Sequence, residues 1–457
     1  MSTQIQLKEN KMGVMPVGRL LINMALPMVI AMLVQALYNV VDSIYVSRVS
    51  ESAVTALSLA FPVQNIMIGF ATGIGVGVNA LLSKSLGEGD RKTVGLAAGN
   101  GFFLVAVVTV LFALFGIFGA RPYFAMQSEV VETVEGGAVY VSICCLLSMG
   151  IFVEVLGERL LQATGRTVFT LITQGTGAVL NIILDPIFIF GAPWLGIAPM
   201  GIAGAAVATV IGQWVAAILA LIFNFKCNPE VQFSLRDLIP TGRVLRVVLT
   251  VGIPSIIMVA IGSVMNFSMN QILQGFSETA TGVFGIYFKL QSFFFMPLFG
   301  LNNGTVSIVA YNYGARKPER ITGTLKLACM IAMGIMIVGL LIFQLAPEML
   351  LSIFNPSEEF LGIGRSALRQ ISWAFPMAAI GIALTAGFQA LGNGSYASII
   401  SLCRQMLVLL PAAYLLSLTG EVNYVWWAFP IAETASVIIT LLFFLRIYRR
   451  KIKPLSE

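Results

Sequence analysis

Residues 25–53 read ALPMVIAMLVQALYNVVDSIYVSRVSESA, and 227 residues later residues 252–280 read GIPSIIMVAIGSVMNFSMNQILQGFSETA. The correspondence runs on without a gap: Pro27, Ile30, Asn39, Ser50, Glu51, Ala53, Phe61, Gln64, Gly73, Gly77 and Gly87 recur as Pro254, Ile257, Asn266, Ser277, Glu278, Ala280, Phe288, Gln291, Gly300, Gly304 and Gly314. The same offset places Gln162-Ala163-Thr164-Gly165 on Gln389-Ala390-Leu391-Gly392, so the register persists through most of each half. An internal duplication of apolar segments is a signature of secondary transporters.

Hydrophobic residues make up 58% of the chain and charged residues 11%, against about 25% charged in a soluble domain. The composition is that of a multi-pass membrane protein. Apolar runs long enough to span a bilayer fall at 20–47, 53–83, 93–119, 136–163, 167–191, 200–225, 244–275, 280–311, 321–345, 361–391, 395–418 and 422–447. The runs are long and continuous rather than short and alternating, which predicts helices and no barrel. The expected fold is therefore all-α, with twelve spans in two pseudo-symmetric lobes of six. Residues 226–243, with two prolines and mixed charges, read as the connection, which divides the chain into lobes 1–230 and 231–457.

With both termini placed in the cytoplasm, 21 of the 27 basic residues fall on that side and only Arg48, Arg121, Arg365 and Arg369 lie outside, as the positive-inside rule requires. The net charge of +6 is thus an orientation signal and gives no reason to invoke nucleic acid. The first 19 residues carry no cleavable signal pattern, so the first span is read as the insertion signal. Five cysteines lie in spans or on the cytoplasmic side, and no disulfide framework is expected. The bilayer is the expected partner, and a monomer the expected state.

A charge at mid-membrane costs roughly 2.5–3.5 kcal/mol on insertion scales, so the few charges inside spans are the informative ones. They are Asp42 in the first span, Glu154 and the more peripheral Glu158 in the fourth, Asp185 in the fifth, Lys289 in the eighth, Arg404 in the eleventh and Glu433 in the twelfth. Tyr38 and Asn39 precede Asp42 by one helical turn, Asn181 precedes Asp185 by one, and Glu154 precedes Glu158 by one. Pro186 should loosen the helix beside Asp185. At the offset of 227, Asp42 falls on Met269, Glu158 on Thr385 and Asp185 on Ala412, so the second half keeps the scaffold without these acids. That asymmetry suggests a cation or proton site in the first half. Each acid could instead fix helix packing, and Lys289 and Arg404 could pair with Glu433. With no histidine in the chain, a proton route must use carboxylates, tyrosines and water, while the same oxygens could coordinate Na⁺. Spacing leaves both open. Asn266, Asn270 and Gln389 are further polar candidates for a cavity wall in the second half.

Gly73-Ile74-Gly75-Val76-Gly77 has no following Lys-Ser/Thr and reads as close helix packing rather than a phosphate loop. No nucleotide-binding signature accompanies it, so ATP-driven transport is unsupported and no organic cofactor is expected. Abundant Met and Phe could give a cavity an adaptable apolar wall.

The segments Ala25-Leu26-Pro27, Asn39-Val40-Val41-Asp42, Gly87-Glu88-Gly89-Asp90, Asn181 to Pro186, Gly201 to Thr209 and Tyr311-Asn312-Tyr313-Gly314-Ala315 together resemble the multidrug and toxic compound extrusion (MATE) family over essentially the whole chain. The resemblance implies two six-helix lobes around a central cavity, exchanging an organic cation for H⁺ or Na⁺ by alternating access. The acid pattern looks like the DinF-like, MepA-like branch, in which Asp42, Asn181 and Asp185 would carry the coupling ion and Tyr140 would line the cavity. Glu158 departs from the family pattern, which often has an amide there. An antiporter of amphipathic, cationic drugs is therefore the expected function. A lipid-linked oligosaccharide flippase of the same superfamily is the alternative, kept alive by Lys289 and Arg404. A membrane-embedded enzyme lacks a histidine-based metal site and a paired nucleophile and base.

Overall fold

The computed structural model describes residues 10–352, 354 and 357–455, without the side chains of Asn39, Val40, Ser43, Ile44, Ser47, Glu51 and Val54. The chain is helical nearly throughout. The long helices are α1 (Val17–Ser47), α2 (Glu51–Glu88), α3 (Arg91–Phe118), α4 (Val131–Leu146), α5 (Met149–Ala163), α6 (Thr167–Ile189), α7 (Ile202–Cys227), α8 (Gly242–Gln274), α9 (Glu278–Gly314) and α10 (Pro318–Leu345). They continue as α11 (Glu358–Ser372), α12 (Phe375–Ala390), α13 (Gly394–Leu402), a π-helical turn at Cys403–Leu409, α14 (Leu410–Ser417) and α15 (Ala428–Ile447).

Ten continuous helical stretches among the described residues are long and apolar enough to cross a membrane. The pairs α4 with α5 and α11 with α12, bent by 46° and 48°, make twelve if each pair is one span. The bends are themselves duplicated, since shifting 131–163 by 227 gives 358–390. Ser50 and Ser277 likewise cap α2 and α9, each accepting from the N–H three residues on at 3.1 Å. The cap satisfies a donor left over by the first turn. The connection between halves contains one short 3₁₀ turn, Leu235–Leu238.

The halves meet through the repeated glycines. A Cβ at Gly73 would stand 2.7 Å from the Gly252 carbonyl oxygen of α8, and one at Gly300 would stand 2.7 Å from the Val29 nitrogen of α1. A Cβ at Gly87 would collide with the Tyr311 carbonyl oxygen, and one at Gly314 with that of Lys84. Tyr311 and Lys84 are themselves related by the 227-residue offset, so this contact is a pseudo-two-fold one. Small residues let backbones approach where lipid offers no hydrophobic drive for helix association. The glycines therefore pack helices, as their sequence context indicates.

The cores interleave along the same axis. Leu20, Leu21 and Met24 at the start of α1 join the core of the second half, while Val244 and Val248 at the start of α8 join that of the first. Where the described chain begins, residues 10–15 bridge the halves. Asn10 Nδ2 donates to Glu230 Oε2 at 2.7 Å, Asn312 Nδ2 donates to the Met12 carbonyl at 3.0 Å, and Arg320 Nη2 donates to the Met12 and Met15 carbonyls at 2.9 and 2.7 Å.

Gly87→Ala and Gly314→Ala each insert a methyl group against backbone that cannot swing aside, so each should destabilise by about 1–3 kcal/mol. Because both relieve themselves by the same separation of α2 and α9, the double substitution should cost less than the sum. Thermal unfolding of the four proteins in detergent checks this; strict additivity would contradict a shared contact.

Candidate functional site

The acids of the first half converge. α6 lies against α7 through Gly177 and Gly212, where a Cβ on Gly212 would stand 2.8 Å from the Gly177 carbonyl oxygen. That approach brings Thr209 of α7 to Asn181 of α6. With its amide turned to suit its neighbours, Asn181 Nδ2 donates to Asp185 Oδ2 at 3.0 Å and Oδ1 accepts from the Thr209 hydroxyl and backbone N–H, each at 3.2 Å. Asp185 is fully buried and Asn181 nearly so. Pro186 offers no N–H to the preceding turn, yet α6 runs on to Ile189.

Across from Asp185 stands Asp42 of α1, in side-chain hydrogen-bond contact with it. Two carboxylates facing one another repel, a repulsion that a proton or a cation between them relieves. The Asp42 Oδ1 atom is buried and has no hydrogen-bond partner, so an acceptor remains available at the site. Tyr38, one turn earlier, sits in the electrostatic field of Glu154, Asp42 and Asp185. Tyr140 of α4 faces Asp42, Cys144 and Tyr38, and its hydroxyl accepts from Gln64 Nε2 at 2.7 Å. The side chain of Asn39 lies outside the described residues.

Glu154 and Glu158, one turn apart on α5, have different surroundings. Glu154 is half-buried towards Tyr38. Glu158 is only 3% exposed, and both its oxygens are engaged: Thr173 Oγ1 donates to Oε1 at 2.8 Å and Gln174 Nε2 donates to Oε2 at 2.9 Å. It thus ties α5 to α6 through both carboxyl oxygens, nearer the end of its helix than Glu154. Among the described residues no group of three or more cysteine, aspartate or glutamate side chains is arranged to hold a metal ion.

In the second half, Arg404 of the π turn donates from Nη1 to Glu433 Oε1 of α15 at 2.8 Å. Lys289 is exposed and, among the described residues, has no carboxylate partner. Gln389 is buried and donates from Nε2 to the Ser255 hydroxyl at 3.3 Å, so it ties α12 to α8 instead of facing a cavity. Asn270 is exposed, and Asn266 is half-buried with an unpaired Oδ1. Thr209, Gln64, Thr173 and Gln174 complete the polar shell of the first half and were not expected there. Thr209 ends the Gly201–Thr209 segment and Gln64 is one of the repeated residues, but neither carries the charge that marks an intramembrane site.

The MatE family model matches residues 27–187 and again 254–415, two copies that start at the 227-residue offset of the internal repeat. The multidrug export protein MepA of Staphylococcus aureus (strain MSSA476) is 26% identical over 442 residues, covering 93% of each chain. MepA of Staphylococcus saprophyticus is 24% identical over 423 residues, covering 92% of each. Among solved structures, the outward-facing conformation of a multidrug resistance MATE family transporter of the MOP superfamily has a TM-score of 0.90 at 25% identity, covering 98% of this chain and 99% of that one. With two copies of the family pattern laid over both halves, this chain belongs to the MatE family, the family of multidrug and toxic compound extrusion transporters.

Proposed function

We propose that this MATE family efflux transporter is a secondary antiporter that exports amphipathic, cationic compounds in exchange for H⁺ or Na⁺. Residues 1–230 form the lobe with the ion site, residues 231–457 the opposing lobe, and both termini lie in the cytoplasm of a bacterial cell. The protein works as a monomer in the inner membrane. The observation that carries this reading is the contact between Asp42 and Asp185 inside the membrane-spanning bundle, fixed by Asn181 and Thr209. In the outward-facing protein a proton or Na⁺ enters between these carboxyls, α1 shifts, and the drug loses its counter-charge and leaves. The lobes then rock inward and the ion departs. Drug and ion must favour different states, because a ligand with equal affinity for both conformations shifts nothing.

The flippase alternative draws on basic residues facing a cavity. Arg404 has its charge offset by Glu433, which leaves that alternative with Lys289. Names of the relatives point the same way, since MepA proteins are multidrug exporters.

In proteoliposomes, ethidium efflux should follow an imposed pH gradient or an imposed Na⁺ gradient, and the gradient that drives it names the ion. Asp42→Asn and Asp185→Asn should each reduce that efflux by about 5- to 150-fold, the range of coupling between linked sites. Full-rate uphill efflux by Asp42→Asn would sink the mechanism. Glu158→Gln should behave differently. Its NH₂ group can face the Thr173 hydroxyl, which then donates to the Thr170 carbonyl, so stability should fall by about 1 kcal/mol or less, while the driving ion stays the same. A switch of driving ion in that variant would show that Glu158 belongs to the ion site.

A further inference from the structure

The last helix ends in a charge cluster with a shape of its own. Leu442, Leu445, Arg446, Arg449 and Arg450 line one shallow, open groove of about 360 Å³. Their spacing, i, i+3, i+4, i+7 and i+8, is that of one helical face. The backbone widens into a π-helical turn at Tyr448–Ile452, directly beneath the last two arginines. Leu442 and Leu445 are 60% and 50% exposed, and Ile438, one turn earlier, extends the apolar strip with 56%.

The segment is fixed rather than loose. Ile447 and Ile452 are buried on the other side, and Lys451 Nζ donates to the Leu391 carbonyl at 2.6 Å, anchoring the tail to the end of α12. A topology signal needs only positive charge on the correct side. It does not need three guanidinium groups held along one groove beside exposed leucines. Among the described residues no carboxylate forms an ion pair with Arg446, Arg449 or Arg450.

We propose that this groove binds an anionic phospholipid of the surrounding bilayer. The phosphate is held by the guanidinium forks, which match phosphate geometry and stay charged. The acyl chains run along Leu445, Leu442 and Ile438, in the plane where the helix already meets lipid. Juxtamembrane arginine clusters attract anionic lipid at about 1 kcal/mol per charge, and a free phosphate would leave the leucines uncovered. This site is independent of the ion site and of the direction of transport.

The test uses the full chain in a neutral detergent, titrated with phosphatidylglycerol or with phosphatidylcholine, with retained lipid read by native mass spectrometry and stability by thermal unfolding. Wild type should retain phosphatidylglycerol in preference to phosphatidylcholine and unfold at a higher temperature with it. Arg446→Gln/Arg449→Gln/Arg450→Gln should bind phosphatidylglycerol about a hundredfold more weakly, following three charges at the membrane surface. The charge-matched Arg236→Gln/Arg243→Gln/Arg246→Gln should bind as wild type does. Equal retention of the two lipids by wild type overturns the proposal, and that comparison stands even where the triple variant fails to fold. Equal weakening by the control variant overturns it as well, by reducing the effect to net charge. Competition by inorganic phosphate alone at millimolar concentration would reassign the groove to a free anion.

Discussion

The close approach of backbones between the two halves is the constraint on which the rest of this structure depends. Gly73 against Gly252, Gly300 against Val29 and the reciprocal pair at Gly87 and Gly314 leave no room for a side chain. In a bilayer such contacts supply van der Waals attraction that larger residues would prevent. They place α1 between two neighbours. On one side it is pressed to α9 of the second half, and on the other it packs against α6, which carries Asp185. Asp42 therefore sits on a helix that touches both the first-half acids and the opposing half, so in the proposed exchange a change at the Asp42–Asp185 contact would bear on the interface between halves.

Duplication makes the two halves a controlled comparison. α6 and α7 approach through Gly177 and Gly212, which leaves space for Asn181, Asp185 and Thr209. In the second half the residue equivalent to Gly177 is Arg404, and Glu433 stands where the first half has Ala206. Where the first half packs glycine against its neighbouring helix, the second half has an ion pair that neutralises itself. Removing one partner of this half-buried pair would leave the other charge uncompensated, at a cost that its partial exposure to solvent moderates. One scaffold thus carries an unbalanced acidic site in one half and a self-neutralised pair in the other.

Much of this was legible in the sequence for identifiable reasons. Spans, repeat and glycine packing rest on hydrophobicity and identity at a fixed offset, both local signals. The meeting of Asp42 with Asp185, and of Arg404 with Glu433, follows from the scarcity of intramembrane charge, since few partners exist. Neutral polar residues carry no such signal. Gln389 has the same sequence character whether it lines a cavity or, as here, bonds Ser255, and Thr209 and Gln64 look like ordinary span residues until their helices are assembled. The partners of Glu158, Thr173 and Gln174, come from another helix and so leave no signal in the sequence around it. The bend of α11 with α12 is followed at once by Pro376 in the first turn of α12, whereas that of α4 with α5 has no proline at its break, and a reading of hydropathy alone shows neither.

Magnitudes explain why the exchange proposed for this protein calls for two acids rather than one. Moving a two-state equilibrium from 1:99 to 99:1 requires about 5.5 kcal/mol of differential binding. A single unpaired charge inside the membrane is worth about 2.5–3.5 kcal/mol, too little for a full switch. Two together reach about 5–7 kcal/mol on the same scale. Asp42 and Asp185 in contact are tolerable with a proton or cation between them, and both become exposed liabilities once it leaves. In the proposed exchange a cationic substrate would then meet a site whose need for positive charge is large enough to favour the other conformation, so ion and drug would exclude one another there.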